Sequence, residues 1–405
     1  MANISAIALV GQSDNEILTW ATSVVANRAK LYGVSMTLID LAKEDWHTKL
    51  STYLESGRPS FCFSFQGFGM GLRTEADNLW TSLNIPFISL MGDAPFYAPY
   101  LHANEGPTLF HLYKSEDFRQ FYCDIMGGKN FSSVFGGLYP PNPLADETPW
   151  HDRDLEIVYV KSGVDSEALR AAWTAFPNKL RGVIEDASAV ALAGQQKTIG
   201  QIVIDSFAAC SMYFGQNRTL LLRACAAVDS YVRAVRAERM LREVMRHGGH
   251  VFGDWPHIDK VNTQARFHGK IPAEKLDQLY SRSRILINVL PCTLNYVHER
   301  ILAALVSQAF SISDGTAFVT KALRNYPNFK SVSIDSPTLA NELDRHISEI
   351  RKLGSGHKIE LQSMLRQSRL RAEDEFSVDR LIGEILELAA MCQLERNSSS
   401  WSFRR

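Results

Sequence analysis

The stretch that decides the fold reads NYVHERILAALVSQAFSISDG and runs from Asn295 to Gly315. Three titratable residues, His298, Glu299 and Arg300, stand side by side between a polar loop and an apolar helix. The helix leads directly into a short apolar strand. This order of loop, charged helix start, helix and strand predicts an α/β unit.

The same alternation recurs toward both ends of the chain. The apolar runs that predict strands are AIALVG (Ala6–Gly11), SMTLIDL (Ser35–Leu41), SFCFSFQG (Ser60–Gly67), FISLMGD (Phe87–Asp93), TLFHLY (Thr108–Tyr113), FSSVFGG (Phe131–Gly137), LEIVYVKSG (Leu155–Gly163), HVFGDW (His250–Trp255), ARFHG (Ala265–Gly269), ILINVLP (Ile285–Pro291) and FSISDG (Phe310–Gly315). Helical patterns lie between most of these runs, which predicts open parallel sheets covered on both faces.

A chain of 405 residues exceeds one ordinary core, so we predict two domains. The proline-rich segment GLYPPNPLADETPWHD is typical of a linker. We expect an N-terminal Rossmann-like domain over 1–137, a linker over 138–153, a C-terminal Rossmann-like domain over 154–394 and a frayed tail over 395–405. A helical insertion is expected at about 165–227, and the two sheets are expected to face one another across a cleft.

Composition narrows the class of protein. The net charge of −1 provides no strong field for nucleic acid or an anionic membrane, so neither is expected as a partner. The six cysteines are scattered without a Cys-x-x-Cys pair, which fits a reducing compartment. The start of the chain has no signal-peptide pattern, and no apolar run approaches the roughly 18 residues that span a bilayer. We expect a cytoplasmic protein, with homo-oligomerisation left open.

Three predicted strands of the second domain end at Gly253–Trp255, His268–Lys270 and Asn288–His298, and polar residues follow the last two. They are His268, Lys270, Asn288, Asn295, His298, Glu299 and Arg300. A helix N-terminus suits phosphate, and Arg300 can add a bidentate contact to it. Because Glu299 would repel phosphate, accepting hydrogen bonds from ribose hydroxyls suits it better, and the pair predicts a nucleotide site. The alternative is structural: glutamate in a first helical turn stabilises the helix, and Arg300 then serves only as a surface ion-pair partner.

The segments ARFHGKIPAEKLDQLYSRSRILINVLP and VHERILAALVSQAFSISDG resemble the donor-binding half of GT-B-fold bacterial glycosyltransferases. The likeness is to the spore-maturation-protein (CgeB-like) or glycosyltransferase family 1-type group, and it covers about 265–314. It implies a hexosyltransferase with a nucleotide-sugar donor, UDP-sugar above all, held between the two domains. It also implies a glycan or protein acceptor on the side of the first domain, and no separate cofactor.

The chain departs from this pattern at three positions. Ala303 stands where many relatives have an acidic residue, Gln308 where many have glycine, and Ser307 where retaining relatives have a second glutamate. Glu299 is therefore expected to serve the ribose alone. An inactive or specialised member stays open on the same grounds.

In the first domain, Asp93-Ala94-Pro95 follows a predicted strand and resembles an Asp-x-Pro of the related enzymes. Asp93 is the first candidate for the base that deprotonates an acceptor hydroxyl, and His102 is the second. The alternatives are a turn role for Asp93 and a structural role for His102. The glycines of FSFQGFGMG permit close approach of a substrate, but their spacing is not that of a dinucleotide fingerprint.

Sugar transfer builds negative charge on the leaving diphosphate, which cationic side chains stabilise. Arg300, Lys270 and Lys161 are the candidates, although Lys161 also fits a solvated strand-end lysine. No Asp-x-Asp or His-rich cluster occurs in the sequence, so we expect metal-independent chemistry. Three hypotheses remain: a glycosyltransferase, a GT-B nucleotide-sugar epimerase or hydrolase, and a non-catalytic protein that binds a nucleotide-sugar or a partner.

Overall fold

The computed structural model describes residues 4–11, 16–75, 77–135, 148–194, 196–212, 215, 217–261, 263–356 and 358–401, the side chains of 393–401 excepted. The chain divides into two compact units. The first comprises Met1–Pro140 and Phe376–Arg405, and the second comprises Pro141–Glu375.

The first unit is built around a six-stranded sheet. Its strands are β1 (Ile4–Val10), β2 (Val34–Asp40), β3 (Phe61–Phe65), β4 (Phe87–Met91), β5 (Leu109–Tyr113) and β6 (Phe131–Val134), and its first helices are α1 (Ile17–Ala29), α2 (Trp46–Ser56), α3 (Leu79–Ser82), α4 (Pro99–His102) and α5 (Glu116–Gln120). The strand order is β2-β1-β3-β4-β5-β6, and every pair is parallel. The central strands β3, β4 and β5 are buried along their whole length, which explains their continuous apolar sequences.

Successive residues of a strand in this sheet enter different cores. Ala6 and Ala8 of β1 pack in one apolar cluster, whereas Ile7 and Leu9 pack in another. Because side chains alternate along a strand, these clusters lie on opposite faces of the sheet. The predicted sheet covered on both faces is therefore present.

The second unit repeats this architecture. Its strands are β7 (Leu155–Val160), β8 (His250–Phe252), β9 (Arg266–Phe267), β10 (Ser283–Asn288), β11 (Phe310–Asp314) and β12 (Phe329–Val332), and its helices are α6 (Ser166–Ala172), α7 (Asn178–Leu192), α8 (Ile199–Ala209), α9 (Arg218–Arg246), α10 (Leu276–Ser281), α11 (Glu299–Val306), α12 (Ala317–Ala322), α13 (Leu339–Ser355) and α14 (Lys358–Glu375). The order is β12-β11-β10-β7-β8-β9, again parallel throughout. Strand β12 and helices α13 and α14 were not predicted from the sequence.

The connection from β7 to β8 consists of helices, α6 to α9. The longest, α9, has 29 residues and places buried residues along its whole length. One of them, Arg236, forms an ion pair with Asp335, whose other partner is Arg239. A helical region over about 165–227 was predicted, and the helices continue beyond it to Arg246.

The predicted linker is corrected at its second half. Residues 136–147 lie outside the described part of the chain, but Trp150 and Arg153 are buried in the second unit. The Trp150 indole belongs to its core, and the Arg153 guanidinium donates to the carbonyls of Thr148, Ser283 and Ser307. Residues 148–153 are therefore packed structure rather than linker.

The last helix, α15 (Val378–Trp401), is also corrected, because it belongs to the first unit and not to the second domain as predicted. Seven of its side chains join the same cluster as Ala6 and Ala8: Val378, Leu381, Ile382, Ile385, Leu388, Ala389 and Cys392. The ion pair of Arg28 with Asp379 and the hydrogen bond of Ser133 with Glu384 tie α15 to that unit as well. The helix continues through 395–401, which were expected to form part of a frayed tail, and 402–405 lie outside the described residues. Across the described chain, no helix is long and apolar enough to cross a membrane.

Candidate functional site

Three adjacent strands of the second unit end beside one another. The chain leaves β7, β10 and β11 at Lys161, Asn288 and Asp314, and Asn288 is paired in register with Ser313. Helix α11 begins after the loop that follows β10 and carries Arg300 in its first turn. We call Lys161, Asn288, Arg300 and Asp314 the strand-end cluster. Carboxyl ends of parallel strands are where open α/β sheets bind ligands.

The start of α11 is capped by its own sequence. His298 is the N-cap residue, and its Nδ1 accepts the backbone N–H of Arg300 at 3.1 Å. Because Nδ1 is the acceptor, neutral His298 carries its proton on Nε2, which lies 3.5 Å from the Glu299 Oε1 atom. His298 is buried, so the structure gives it a capping role, and one backbone N–H expected to be free for phosphate is already used.

The Glu299 carboxylate is partly exposed. Its side chain is 41% exposed, and Oε2 accepts a hydrogen bond from the Tyr296 hydroxyl. Burial and the Glu299 charge raise the pKa of Tyr296 far above its ordinary range, so that hydroxyl stays a donor. A carboxylate has about four acceptor positions, which leaves Glu299 able to accept hydroxyl groups of a ligand.

Arg300 is oriented by a buried amide. Its Nη1 donates to the Oδ1 atom of Asn288 at 3.2 Å, and Asn288 is 1% exposed. Asn288 is thus placed beneath the guanidinium and supports it from the end of β10. Asn295 lies half-buried in the loop that leads to α11.

Lys161 lies close enough to Arg300 to respond to its charge. Burial, together with the positive charges of Arg300 and Arg233, lowers the pKa of Lys161 to about 7, against the opposing effect of Asp314. Lys161 is only partly exposed, so it is not a fully solvated strand-end lysine. An amine with this pKa changes its charge near neutrality, and a bound anion would favour its charged form.

His268 and Lys270 lie farther along the same sheet edge. They follow β9, which is separated from β10 by β7 and β8, three spacings of about 4.8 Å each. His268 stacks on Phe252 at 4.4 Å and bonds His250 at 3.0 Å, while Lys270 lies 3.5 Å from the Asp254 carboxylate. The structure therefore does not bring these two residues against Arg300, and only an extended ligand could contact all of them.

In the first unit, Asp93 lies exposed after β4 and is held by a residue that the sequence reading did not single out. Gln66 donates from Nε2 to the Asp93 Oδ2 atom at 2.6 Å, and its Oε1 accepts the backbone N–H of Gly92 at 3.1 Å. Gln66 itself adopts a left-handed φ of 58°, at the start of the glycine turn after β3. The geometry leaves Asp93 accessible at a strand end, as a base requires.

That glycine turn has a packing reason. Gly69 has a φ of 80°, and a Cβ atom there would lie 2.3 Å from Leu9. The indole of Trp80 donates to the Gly69 carbonyl at 2.7 Å. Glycine is thus required by the core contact beneath the turn.

His102 is corrected from a candidate base to a structural residue. It is 2% exposed, and its Nδ1 bonds the Tyr113 hydroxyl at 2.8 Å. Burial lowers the pKa of His102 to about 3, and nearby His111 contributes in the same direction. Such a group is a very weak base at neutral pH, and no acceptor hydroxyl reaches it in the interior of the unit.

Asp314 is a buried carboxyl that sequence reasoning missed. Its Oδ1 accepts the backbone N–H of Leu290 at 2.7 Å and the hydroxyl of Ser313 at 3.2 Å. Burial raises the pKa of Asp314 to about 6, although these hydrogen bonds and the charge of Arg236 oppose the shift. The sequence did contain one signal for Asp314, which is its position as the last residue of the strand FSISD.

The departures from the family pattern have structural explanations at two positions. Gln308 adopts a left-handed φ of 56° just after α11, which is a position that glycine favours. Its side chain is buried and accepts a hydrogen bond from Gln362 at 2.7 Å. Ala303 is fully buried within α11. Neither side chain belongs to the strand-end cluster.

Within the described residues, no group of three or more His, Cys, Asp and Glu side chains is placed to hold a metal ion. The cationic groups of the strand-end cluster are the ones suited to a phosphorylated ligand, and metal independence stays a prediction.

No protein-family model and no curated protein matches the chain. Among solved structures, an alpha-glucosyltransferase in complex with UDP-glucose and DNA containing an abasic site is similar, with a TM-score of 0.51 and 9% identity over 96% of this chain and 99% of that one. An alpha-glucosyltransferase in complex with UDP and a 13-mer DNA gives a TM-score of 0.51 and 9% identity, over 96% and 100% of the two chains. A glycosyltransferase from Rickettsia africae ESF-5 has 11% identity over 97% and 99%, with a TM-score of 0.45.

The likeness to the alpha-glucosyltransferase concerns the fold. It spans nearly the whole of both chains, and each unit of this protein has the parallel Rossmann-like sheet that the GT-B fold contains. The predicted GT-B fold class is therefore confirmed.

Proposed function

We propose that this protein is a glycosyltransferase that moves a sugar from a nucleotide-diphosphate sugar to an acceptor without a metal ion. The main observation is the start of α11, where Asn288 holds the Arg300 guanidinium next in sequence to the partly exposed Glu299 carboxylate, and the charge of Arg300 contributes to the lowered pKa of Lys161. Two cations suit a diphosphate, and a carboxylate suits a ribose. The GT-B fold class supports this assignment.

The proposal gives each group one role. Arg300 and Lys161 bind the diphosphate and stabilise the negative charge that grows on it as the sugar departs. Glu299 accepts the ribose hydroxyls and so orients the nucleotide. Asp93, held by Gln66, takes the proton of the acceptor hydroxyl. His268, Lys270 and Asn295 remain candidate contacts to the distal parts of the donor.

The proposal of a bacterial, cytoplasmic enzyme that uses a UDP-sugar rests on the sequence resemblance. HERILAALVSQAFSISDG is similar to the corresponding segment of the CgeB-like group, which favours a bacterial enzyme that uses a UDP-sugar in the cytoplasm. A net charge of −1 favours a glycan or protein acceptor over DNA, because DNA binding depends on neutralising phosphates with excess basic charge.

Two measurements test this proposal. A thermal-shift screen across UDP-, GDP-, CMP- and dTDP-sugars identifies the donor, because a ligand that binds only the folded state raises the melting temperature. Release of free nucleotide is then followed with and without glycan, protein and duplex DNA acceptors. Release that depends on a glycan or protein supports transfer. Sugar conversion without an acceptor indicates an epimerase or hydrolase, and tight binding without turnover indicates a binding protein.

Glu299→Ala is expected to weaken UDP-glucose binding by roughly tenfold or more, because hydrogen bonds to a charged group are lost. Glu349→Ala is the matched control: Glu349 is 46% exposed and lies 3.5 Å from a histidine, as Glu299 does. Isothermal titration calorimetry measures both. Equal affinity of Glu299→Ala and wild type would remove Glu299 from the site.

A further inference from the structure

A continuous chain of hydrogen bonds connects Arg300 to the buried Asp314. Arg300 Nη1 donates to Asn288 Oδ1 at 3.2 Å, and Asn288 Nδ2 donates to Ser313 Oγ at 3.0 Å. Ser313 Oγ donates in turn to Asp314 Oδ1 at 3.2 Å. Asn288 and Ser313 are 1% and 0% exposed, so solvent does not compete for these groups.

The direction of every bond in this chain is determined by its two ends. An ionised carboxylate only accepts, so the Ser313 hydroxyl must give its one proton to Asp314. The Ser313 oxygen then accepts from the Asn288 NH₂ group, which turns the amide oxygen toward Arg300. A guanidinium only donates, so this is the one amide orientation that holds it. The reversed amide would place an NH₂ group against a cation.

We propose that Asp314 is a positioning residue for Arg300, which acts through Ser313 and Asn288 by fixing the direction of their hydrogen bonds. This inference rests on the proposed function of Arg300 as a diphosphate ligand. Asp314 does not contact the donor in this account. It keeps the guanidinium in one orientation before the donor binds, which reduces the cost of ordering it.

The charges around Asp314 set the conditions of the test. The charge of Arg236 on α9 lowers the pKa of Asp314 and that of Asp335 after β12 raises it, while Asp314 in turn affects the pKa values of Lys161 after β7 and of Tyr159 on β7, whose hydroxyl is neutral. The pKa of Asp314 is raised to about 6, so its carboxylate is ionised and accepts at pH 8. Lys161, with a pKa of about 7, is mostly neutral at that pH. Experiments at pH 8 therefore examine the intact chain of hydrogen bonds.

Ser313 is the best position to interrupt the chain, because Asp314 also holds the backbone of Leu290. The same strand offers a matched control. Ser311 and Ser313 both lie on β11 with 0% exposure, but the Ser311 hydroxyl has no hydrogen-bond partner. Ser313→Ala and Ser311→Ala thus remove the same atom from the same strand, and only the first breaks the path to Arg300.

The first readout needs no nucleotide. Phenylglyoxal modifies guanidinium groups, and mass spectrometry follows the rate at Arg300 in the intact protein at pH 8. We expect Ser313→Ala and Asp314→Ala to raise this rate by roughly fivefold, the size expected for loss of one hydrogen bond. Ser311→Ala should leave the rate unchanged. Equal rates in wild type, Ser313→Ala and Asp314→Ala would overturn the proposal.

The second readout is a double-mutant cycle on UDP affinity at pH 8. Ser313→Ala alone is expected to weaken UDP binding by roughly fivefold to tenfold. In an Arg300→Met background, Ser313→Ala should not weaken UDP binding further, because Ser313 affects the ligand only through Arg300. General damage to the fold would instead lower affinity equally in both backgrounds, and that result contradicts a positioning role.

The two readouts separate the two claims. If Arg300 labelling responds to Ser313→Ala but wild type binds no UDP or other nucleotide, the hydrogen-bond chain stands and the proposed function fails. If wild type binds UDP through Arg300 but neither labelling nor affinity responds to Ser313→Ala, the proposed function stands and the role of Asp314 is wrong.

Discussion

At the scale of single residues, Asp93 is the group on which the transfer step depends. Its carboxylate accepts a hydrogen bond from the neutral Gln66 amide at 2.6 Å, and its side chain is exposed. We expect Asp93→Asn to lower kcat by roughly 10²–10⁴ while the Kd for UDP-glucose changes little, because proton removal is lost but donor contacts are not. Steady-state kinetics and calorimetry measure the two constants.

Asp124→Asn is the control for this variant, since Asp124 is an exposed carboxylate just after α5. It should keep wild-type kcat. An Asp93→Asn variant with wild-type kcat would exclude Asp93 as the base. A loss of UDP-glucose affinity as large as the loss of kcat would show that Asp93 contacts the donor.

The Lys161 amine is expected to take up a proton when the donor binds. With a pKa of about 7, its amine is mostly neutral at pH 8, and a bound diphosphate favours the charged form. Binding of UDP-glucose at pH 8 should therefore take up about one proton, and much less at pH 6, where the amine is already charged. Calorimetry in buffers of different ionisation enthalpy measures this uptake.

Lys161→Met should abolish the uptake, whereas Lys352→Met, at an exposed position of α13, should preserve it. Binding of UDP-glucose by the wild type at pH 8 without proton uptake would mean that Lys161 does not face the diphosphate.

The sequence predicted residue types better than residue surroundings. Lys161, Asn288, Glu299 and Arg300 could be proposed from the sequence because strand ends and helix starts are local patterns, and their roles stay predictions. His102 was misassigned because its burial against Tyr113 arises from packing between α4 and β5, which no local pattern contains. Asp314 and Gln66 were missed because their hydrogen-bond partners lie 24 and 27 residues away in the sequence.

At the scale of elements, α15 shows the same limit. The sequence contains the apolar residues of this helix, but it does not indicate which core they enter. The structure places Leu381, Ile382 and Ile385 in the core of the first unit. Hydrophobic burial is not directional, so a helical pattern alone cannot distinguish between two cores of similar composition.

Leu381→Ala is expected to destabilise the first unit by about 2–5 kcal/mol, because a fully buried leucine leaves a cavity. Hydrogen exchange followed by mass spectrometry should show faster opening of β1 and β3, with little change in β10 and β11. Met391→Ala on the same helix, at 47% exposure, is the control and should change neither. Faster exchange confined to the second unit would contradict the assignment of α15.

At the scale of the whole molecule, the alternation of strands and helices was enough to predict two parallel α/β units, and the fold class is confirmed. The boundaries of the domains were harder to predict from the sequence. Residues 148–153 were predicted as linker from their composition, yet Trp150 packs in the second core and donates from its indole to the Arg284 carbonyl. Burial of this one aromatic residue makes the segment part of the second unit, although the prolines are typical of a linker. Composition does not reveal such tertiary contacts.

The central claim is that a nucleotide-sugar binds at the start of α11, and hydrogen exchange with and without UDP-glucose tests it most directly. At saturating ligand, we expect slower exchange in peptides that cover 295–303 and 159–163. Exchange around Glu105–Phe131 of the first unit, where a separate cavity of about 390 Å³ lies, should be unchanged. Bound UDP-glucose that leaves 295–303 unprotected, or that protects only the residues around that cavity, would show that the nucleotide-sugar does not bind at the start of α11.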